Sequence, residues 1–401
     1  MEKFTFGIDV SSKTSTVAIA LGERILDNYT IKNNLTGFTK LYEDISSVRY
    51  CDVIFEATGV YSRRLEAFLV SKKVGFTKLN PYASKNQLNN ELRKFKTDKT
   101  DAEGLAISQA RLQRKPTPQE DEVYLELSDW SRYYAQVNRD LIAHKNRLHR
   151  ILQLTFPEIE SFLSATDGVF YWNVVKHFPT PIDVLKSDIN DIPRTLLEST
   201  NKNMSINRAQ MLTDKLINFA KESYSCDRFG VQKYQVIKLA ENLIDLNNEK
   251  NNIINKMAEL AKDLPELQIL QSIPGIGLRT ALLIIAEIGD FKRFSSSNQI
   301  NAFVGIDLPR VESGDKRNLD SISKQGTSIG RKVLYQAVKC MVSASKFNPN
   351  HIADYYQTKK VACSSTKKAT IASMHRLIRT MHHLVINNQN YDYSQTHKQT
   401  E

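Results

Sequence analysis

Three short strand-like runs, 3–10, 14–21 and 24–32, the most apolar of them Val17-Ala18-Ile19-Ala20-Leu21, open the chain, separated by polar connections two or three residues long. The pattern predicts three consecutive strands forming a meander. Apolar residues at helical spacing over 36–45 predict a helix, and 52–55 predicts a fourth strand. A helix over 60–72, a strand over 75–79 and a helix over 81–92 complete the series.

Beyond about 120 the period changes. Trp130, Tyr134, Val137, Leu141, His144, Leu148 and Ile151 recur at alternating spacings of four and three, which predicts one long helix. A second such seam runs from Val236 through Leu243, Lys250, Ile253 and Met257 to Leu264. These helices are expected to pair with each other or with a second subunit, with His144 and Lys250 setting register. Between them, helical patterns broken by Pro179, Pro181 and Pro193 predict an inserted helical subdomain at about 165–228. The expected organisation is therefore an α/β domain over 1–115, coiled-coil helices over 121–265, an α-helical C-terminal domain over 266–390, and a tail over 391–401.

The strand order changes the picture once the acidic residues are added. Asp9 follows the apolar Phe6-Gly7-Ile8, and Glu56 follows Val53-Ile54-Phe55, so each carboxylate sits at a strand end. Asp98 and Asp101 are three apart, which puts both on one helix face. The order β-β-β-α-β-α-β-α is that of an RNase H-like domain, in which the first and fourth strands are neighbours and a late helix crosses them. Four carboxylates so gathered repel unless a cation joins them. Hard oxygen ligands suit Mg²⁺ or Mn²⁺, the ions of phosphodiester chemistry. Each acid also has a plainer reading: Asp9, ahead of Ser11 and Ser12, as a turn residue, and Asp98 as a helix cap.

Charge narrows the partner. From Arg310 to Arg379 there are 14 Lys and Arg against four acids, a net +10 of the chain's +11. That imbalance points to a polyanion-binding face. Ile273-Pro274-Gly275-Ile276-Gly277 precedes an apolar helix, and such a turn presents backbone N–H groups to a phosphate, as helix-hairpin-helix modules do. At 41% hydrophobic and 25% charged residues the composition is that of a globular protein; no run is long enough to cross a bilayer, and a cytoplasmic, nucleoid-associated location is expected. Cys51, Cys226, Cys340 and Cys363 lack metal-ligand spacing.

Gly7-Ile8-Asp9, Glu56-Ala57-Thr58-Gly59-Val60-Tyr61, Asn80-Pro81 and Lys96-Thr97-Asp98-Lys99-Thr100-Asp101 resemble the N-terminal domain of the DEDD transposases of the insertion-sequence one-ten family, relatives of the Piv-type DNA invertases. The stretch from Ile273 to Gly277, Phe303-Val304-Gly305-Ile306-Asp307-Leu308-Pro309, Glu312-Ser313-Gly314, Ile322-Ser323-Lys324-Gln325-Gly326 and Arg331-Lys332 are similar to that family's second domain. The resemblance implies a RuvC-like domain holding divalent metal through Asp9, Glu56, Asp98 and Asp101, and a serine, by position Ser313 with the nearby Ser321, Ser323 and Ser328 as competitors, that attacks DNA to form a phosphoserine. It also implies donor and target DNA as partners, a structured guide RNA encoded by the element, and a homodimer assembling to a tetramer. Lys96, Lys99, Gly275, Gly277, Arg310, Lys316, Arg317, Lys324, Arg331 and Lys332 are the expected nucleic-acid contacts. The alternatives are a site-specific invertase of the same family and a metal-dependent nuclease without serine chemistry.

Overall fold

The computed structural model describes residues 3–80, 97–118, 120–227, 230–308, 312–313, 316–317, 321–362 and 365–396; the helix expected over 81–92 lies outside them. The chain divides into two compact units, Met1–Gln119 and Glu120–Glu401.

The first unit is built on a mixed five-stranded sheet of order β3-β2-β1-β4-β5. Its strands are β1 (Phe4–Val10), β2 (Thr14–Leu21), β3 (Arg24–Lys32), β4 (Cys51–Glu56) and β5 (Phe76–Leu79). The first three form the expected antiparallel meander, and β4 lies parallel to β1 on its other side. Alternation along the strands sorts the two faces. Phe6, Ile8, Val10, Val53 and Phe55 pack on one face with Phe38 and Leu41 of α1 (Leu35–Ser46) and Leu65 and Leu69 of α2 (Ser62–Ser71). The opposite face is made of small residues. Ala18 and Ala20 meet Ala102 and Ala106 of α3 (Asp98–Leu112), while Ile54 and Leu79 meet Leu105.

That alanine surface lets α3 sit unusually close to the sheet. A Cβ on Gly7 would lie 2.3 Å from the Ala102 carbonyl oxygen and 2.5 Å from the Ala106 nitrogen. Gly7 is required by this approach, since no side chain fits between strand and helix.

The second unit is helical. Its two longest helices, α4 (Glu122–Thr155) and α9 (Val231–Leu260), pack against each other in antiparallel fashion. Leu141, Leu148 and Leu152 share one core with Val236, Ala240 and Leu243, and Tyr124, Leu127 and Val137 share another with Ile253 and Met257. Of the two partners the heptad seams allowed, each helix thus takes the other within the chain. At the register-setting position, the Lys250 Nζ donates to Asn138 Oδ1 at 2.9 Å and lies over the Tyr134 ring. The insert between them consists of α5 (Val169–His177), α6 (Pro181–Lys186), α7 (Asp191–Glu198) and α8 (Ile206–Glu222), and its Tyr171, Trp172, Leu196 and Leu216 fill the first of those cores.

The second core continues into α10 (Pro265–Gln271), α11 (Leu278–Ile288), α12 (Ser297–Val304), α13 (Ser328–Ala344), α14 (His351–Ala362) and α15 (Thr366–Ile386). Glu287 of α11 bridges these parts from a buried position. It accepts from Ser131 Oγ of α4 at 2.8 Å and from Thr327 Oγ1, the N-cap of α13, at 2.6 Å. The turn between α10 and α11 places Gly275 at φ 88°, where a Cβ would meet the Met341 Cα at 2.7 Å.

Gly7→Ala and Gly275→Ala are therefore each expected to destabilise the unit that contains them by about 2 kcal/mol or more, through overlap with a helix backbone and, at Gly275, positive-φ strain. Gly277→Ala, where nothing lies within 4 Å of the added Cβ, should cost less than about 1 kcal/mol, as expected for loss of a glycine N-cap. Denaturant unfolding of the three variants checks this ranking.

Candidate functional site

The sheet register fixes where two of the acids stand. Ile8 pairs with Phe55 across the parallel β1 and β4, so the next residues, Asp9 and Glu56, are level at the ends of adjacent strands. Because Ile8 and Phe55 face α1 and α2, alternation turns Asp9 and Glu56 toward the α3 face. The course of α3 brings the other two acids to the same end. Arg111 in its last turn pairs with Glu23, in the β2–β3 connection, at 2.9 Å. This connection marks the far end of the sheet, so the first turn of α3, with Asp98 and Asp101, points back toward the ends of β1 and β4.

Neither plainer reading accounts for these acids. Thr97 is the N-cap of α3 and forms a capping box with Thr100: the Thr100 N–H donates to Thr97 Oγ1 at 3.2 Å, and the Thr97 N–H to Thr100 Oγ1 at 3.0 Å. Asp98 is thus not the cap. The turn after β1 is closed by Ser11, which donates through both its N–H and its hydroxyl to the Thr14 carbonyl, while Asp9 remains in the strand ladder.

The four acids share an end and a face without closing on one point. Among the described residues, no group of three or more His, Cys, Asp or Glu side chains is near enough to hold a metal ion. The donor set nevertheless suits a hard divalent cation, being carboxylates alone, two of them in the first turn of a helix. Thr58 Oγ1, two residues beyond Glu56, is buried with no hydrogen-bond partner among the described residues, a polar atom with capacity for a ligand at this end of the sheet. Gly59, at φ 61° and exposed, turns the chain there. Lys99 is exposed on the first turn of α3; Lys96 lies outside the described residues.

In the second unit, Gly277, Leu278 and Arg279 are exposed at the start of α11, where a helix leaves its first N–H groups without partners inside the helix. The surroundings are cationic. Lys250 is held below the ordinary lysine range, first by burial and then by the charges of Arg279, Lys145 and Lys332, with Asp167 opposing them. Gly275 has the packing duty already described, so of the two glycines Gly277 is the one open to a partner.

Ser313 lies in a short hairpin, β6 (Glu312–Ser313) against β7 (Lys316–Arg317), and its backbone pairs with Lys316; the side chains of Ser313, Lys316 and Arg317, and Arg310 altogether, lie outside the described residues. Lys324 is exposed at φ 57°, a conformation non-glycine residues rarely adopt. Arg331 Nη1 donates to the carbonyls of Val304 and Gly326 at 2.9 and 2.8 Å, so this guanidinium is engaged with backbone. Lys332 next to it is exposed. Sequence reasoning missed Lys250 and Arg279 as neighbours of the α11 turn; only the off-pattern lysine in the second heptad seam signalled the former.

Comparison with known proteins finds two family matches, in order along the chain. Residues 6–157 match the DEDD transposase family of the IS110 type, and residues 267–357 match the family described as Transposase IS116/IS110/IS902. The transposase for insertion sequence element IS1111A of Coxiella burnetii is 36% identical over 87 residues, 22% of this chain and 24% of that protein. The transposase for insertion sequence element IS1328 of Yersinia enterocolitica is 28% identical over 137 residues, 32% of this chain and 39% of that protein. The chain thus spans from about a quarter to two fifths of the length of the curated relatives it matches. With both domains present in order and together spanning more than half of its length, the chain belongs to the IS110 family of insertion-sequence transposases.

Proposed function

We propose that this protein is a DNA transposase that cuts and rejoins strands with Mg²⁺ or Mn²⁺ held by an RNase H-like, RuvC-type domain and with Ser313 as the nucleophile. The observation that carries the reading is the placement of Asp9, Glu56, Asp98 and Asp101 at one end of the sheet, on the face covered by α3. These four side chains would hold the metal, which when bound supplies charge neutralisation and Lewis acidity at phosphorus.

The remaining work falls to the chain. A serine hydroxyl is a weak nucleophile until its proton is removed. Attack by Ser313 Oγ forms a P–Oγ bond as the P–O bond to one DNA strand breaks, and the departing oxygen leaves as a hydroxyl after taking a proton. Attack by a hydroxyl of another strand reverses these bonds and releases the serine, so the phosphodiester count is conserved without an outside energy source. The exposed Lys324, Lys332 and Arg279, together with the start of α11, would hold the phosphate backbone. A structured guide RNA and a dimer assembling to a tetramer belong to the same reading, supported by the surplus of cations and by the family relationship.

The expected result is a denaturation-resistant protein–DNA adduct that needs divalent metal, is absent in Ser313→Ala and is reduced by about 100-fold or more in Asp9→Asn. Metal-dependent cleavage without an adduct, unaffected by Ser313→Ala, would favour a plain nuclease using the same acids. Binding supplies a separate check. Arg279→Ala and Lys332→Ala should each weaken affinity for unrelated DNA sequences equally and lower the slope of log affinity against log salt by about 1, the value for one lost phosphate contact.

A further inference from the structure

The hairpin that carries Ser313 falls in the chain between two segments, 304–308 and 321–327, and these are tied to each other. The Ser323 N–H donates to the Asp307 carbonyl at 2.9 Å, and the Lys324 N–H to the Gly305 carbonyl at 3.0 Å. Gly305 and Gly326 press together: a Cβ on the first would lie 2.4 Å from the Gly326 nitrogen, and one on the second 2.1 Å from the Phe303 carbonyl oxygen. Arg331 reaches across to a carbonyl from each segment, Val304 and Gly326. A side-chain bond completes the tie, the Ser323 hydroxyl donating to the Asp307 carboxylate.

Three features distinguish this from an ordinary loop base. Lys324 pays backbone strain for its place in the tie, holding a left-handed φ of 57°, and such strain persists only where the surroundings over-determine it. His375 of α15 lies beside the Ile306 backbone and Asp307, which act against the burial that keeps its imidazole below the usual range. Ile306 itself is fully buried in the second core. The base of the hairpin is therefore anchored to the helical body through Arg331 and the buried Ile306, while Ser313 lies in its first strand.

We propose that Asp307, acting through Ser323, is a positioning residue for the serine chemistry: the pair locks the two segments at the base of the β6–β7 hairpin and thereby fixes where Ser313 is presented. The proposal rests on Ser313 being the nucleophile. A nucleophile displaced by about 1 Å loses rate while binding survives, because proximity and alignment, not affinity, carry the advantage.

The test uses the full-length chain with two readouts. The first is adduct formation on DNA taken from the flanks of its own gene, with any guide RNA it requires. The second is limited trypsin digestion, which cuts after Arg310, Lys316 and Arg317 and reports opening of the base without any chemistry. Ser323→Ala and Asp307→Ala should lower the maximal adduct rate by about tenfold or more with little change in half-saturating DNA. They should also speed cleavage within 309–320 by about fivefold, the change in opening that loss of one hydrogen bond produces. Asp307→Asn, which keeps an oxygen to accept from Ser323, should stay within about twofold of the parent on both measures. Parental trypsin rates in both alanine variants, or an Asp307→Asn protein as impaired as Asp307→Ala, would overturn the proposal. Ser323→Ala removes a single oxygen, so its melting curve separates this effect from general unfolding. Should the adduct persist in Ser313→Ala, the nucleophile assignment fails, and the trypsin rates alone then decide whether Asp307 locks the hairpin base.

Discussion

The close seating of α3 on β1 is the constraint on which the first unit depends. Gly7 leaves room for the Ala102 and Ala106 backbone, and the alanines on both surfaces keep the separation small. A bulkier interface would lift the helix and carry Asp98 and Asp101 away from the ends of β1 and β4. Little apolar area is buried by small residues, so the stability of the domain comes mainly from the other face, where Phe6, Ile8, Phe55, Leu65 and Leu69 are packed.

Much of this was legible in the sequence. Short runs rich in apolar residues, bounded by polar connections, named β1, β2 and β3 to within a residue of their observed ends. The α1 helix was equally plain, with Asn34 capping Gly37. The heptad seams foretold two long helices and left their partner open; a repeat of apolar positions specifies a complementary surface without saying which chain provides it. The strand order put Asp9 and Glu56 at adjacent strand ends, and the register sets them level. Convergence of the four acids on one ion, also expected, is not seen among the described residues; it depends on side-chain rotamers and on repulsion among like charges, neither of which leaves a periodic trace.

The second unit shows what motif reading takes for ligand contact and packing then claims. Gly275 lies in a turn suited to phosphates, yet its positive φ and its contact with Met341 give it a structural duty. Arg331 reads as a phosphate contact from its basic neighbourhood and turns out to bind two carbonyls. Gly305, Asp307, Ser323 and Gly326 were read as parts of a family pattern; in the structure they join the segments 304–308 and 321–327. In each case the residue type was informative and the chemistry was settled by neighbours far away in sequence.

The function proposed for this fold requires carboxylates from two strands and one helix to act on one divalent ion. Calorimetric titration of the full-length protein with Mn²⁺ tests this directly, without DNA or turnover. Saturable binding that is lost in Asp9→Asn, Glu56→Gln and Asp101→Asn alike is the expected result, because each variant removes one donor from a shared site. Unchanged binding in all three, or loss in only one of them, would contradict a common site.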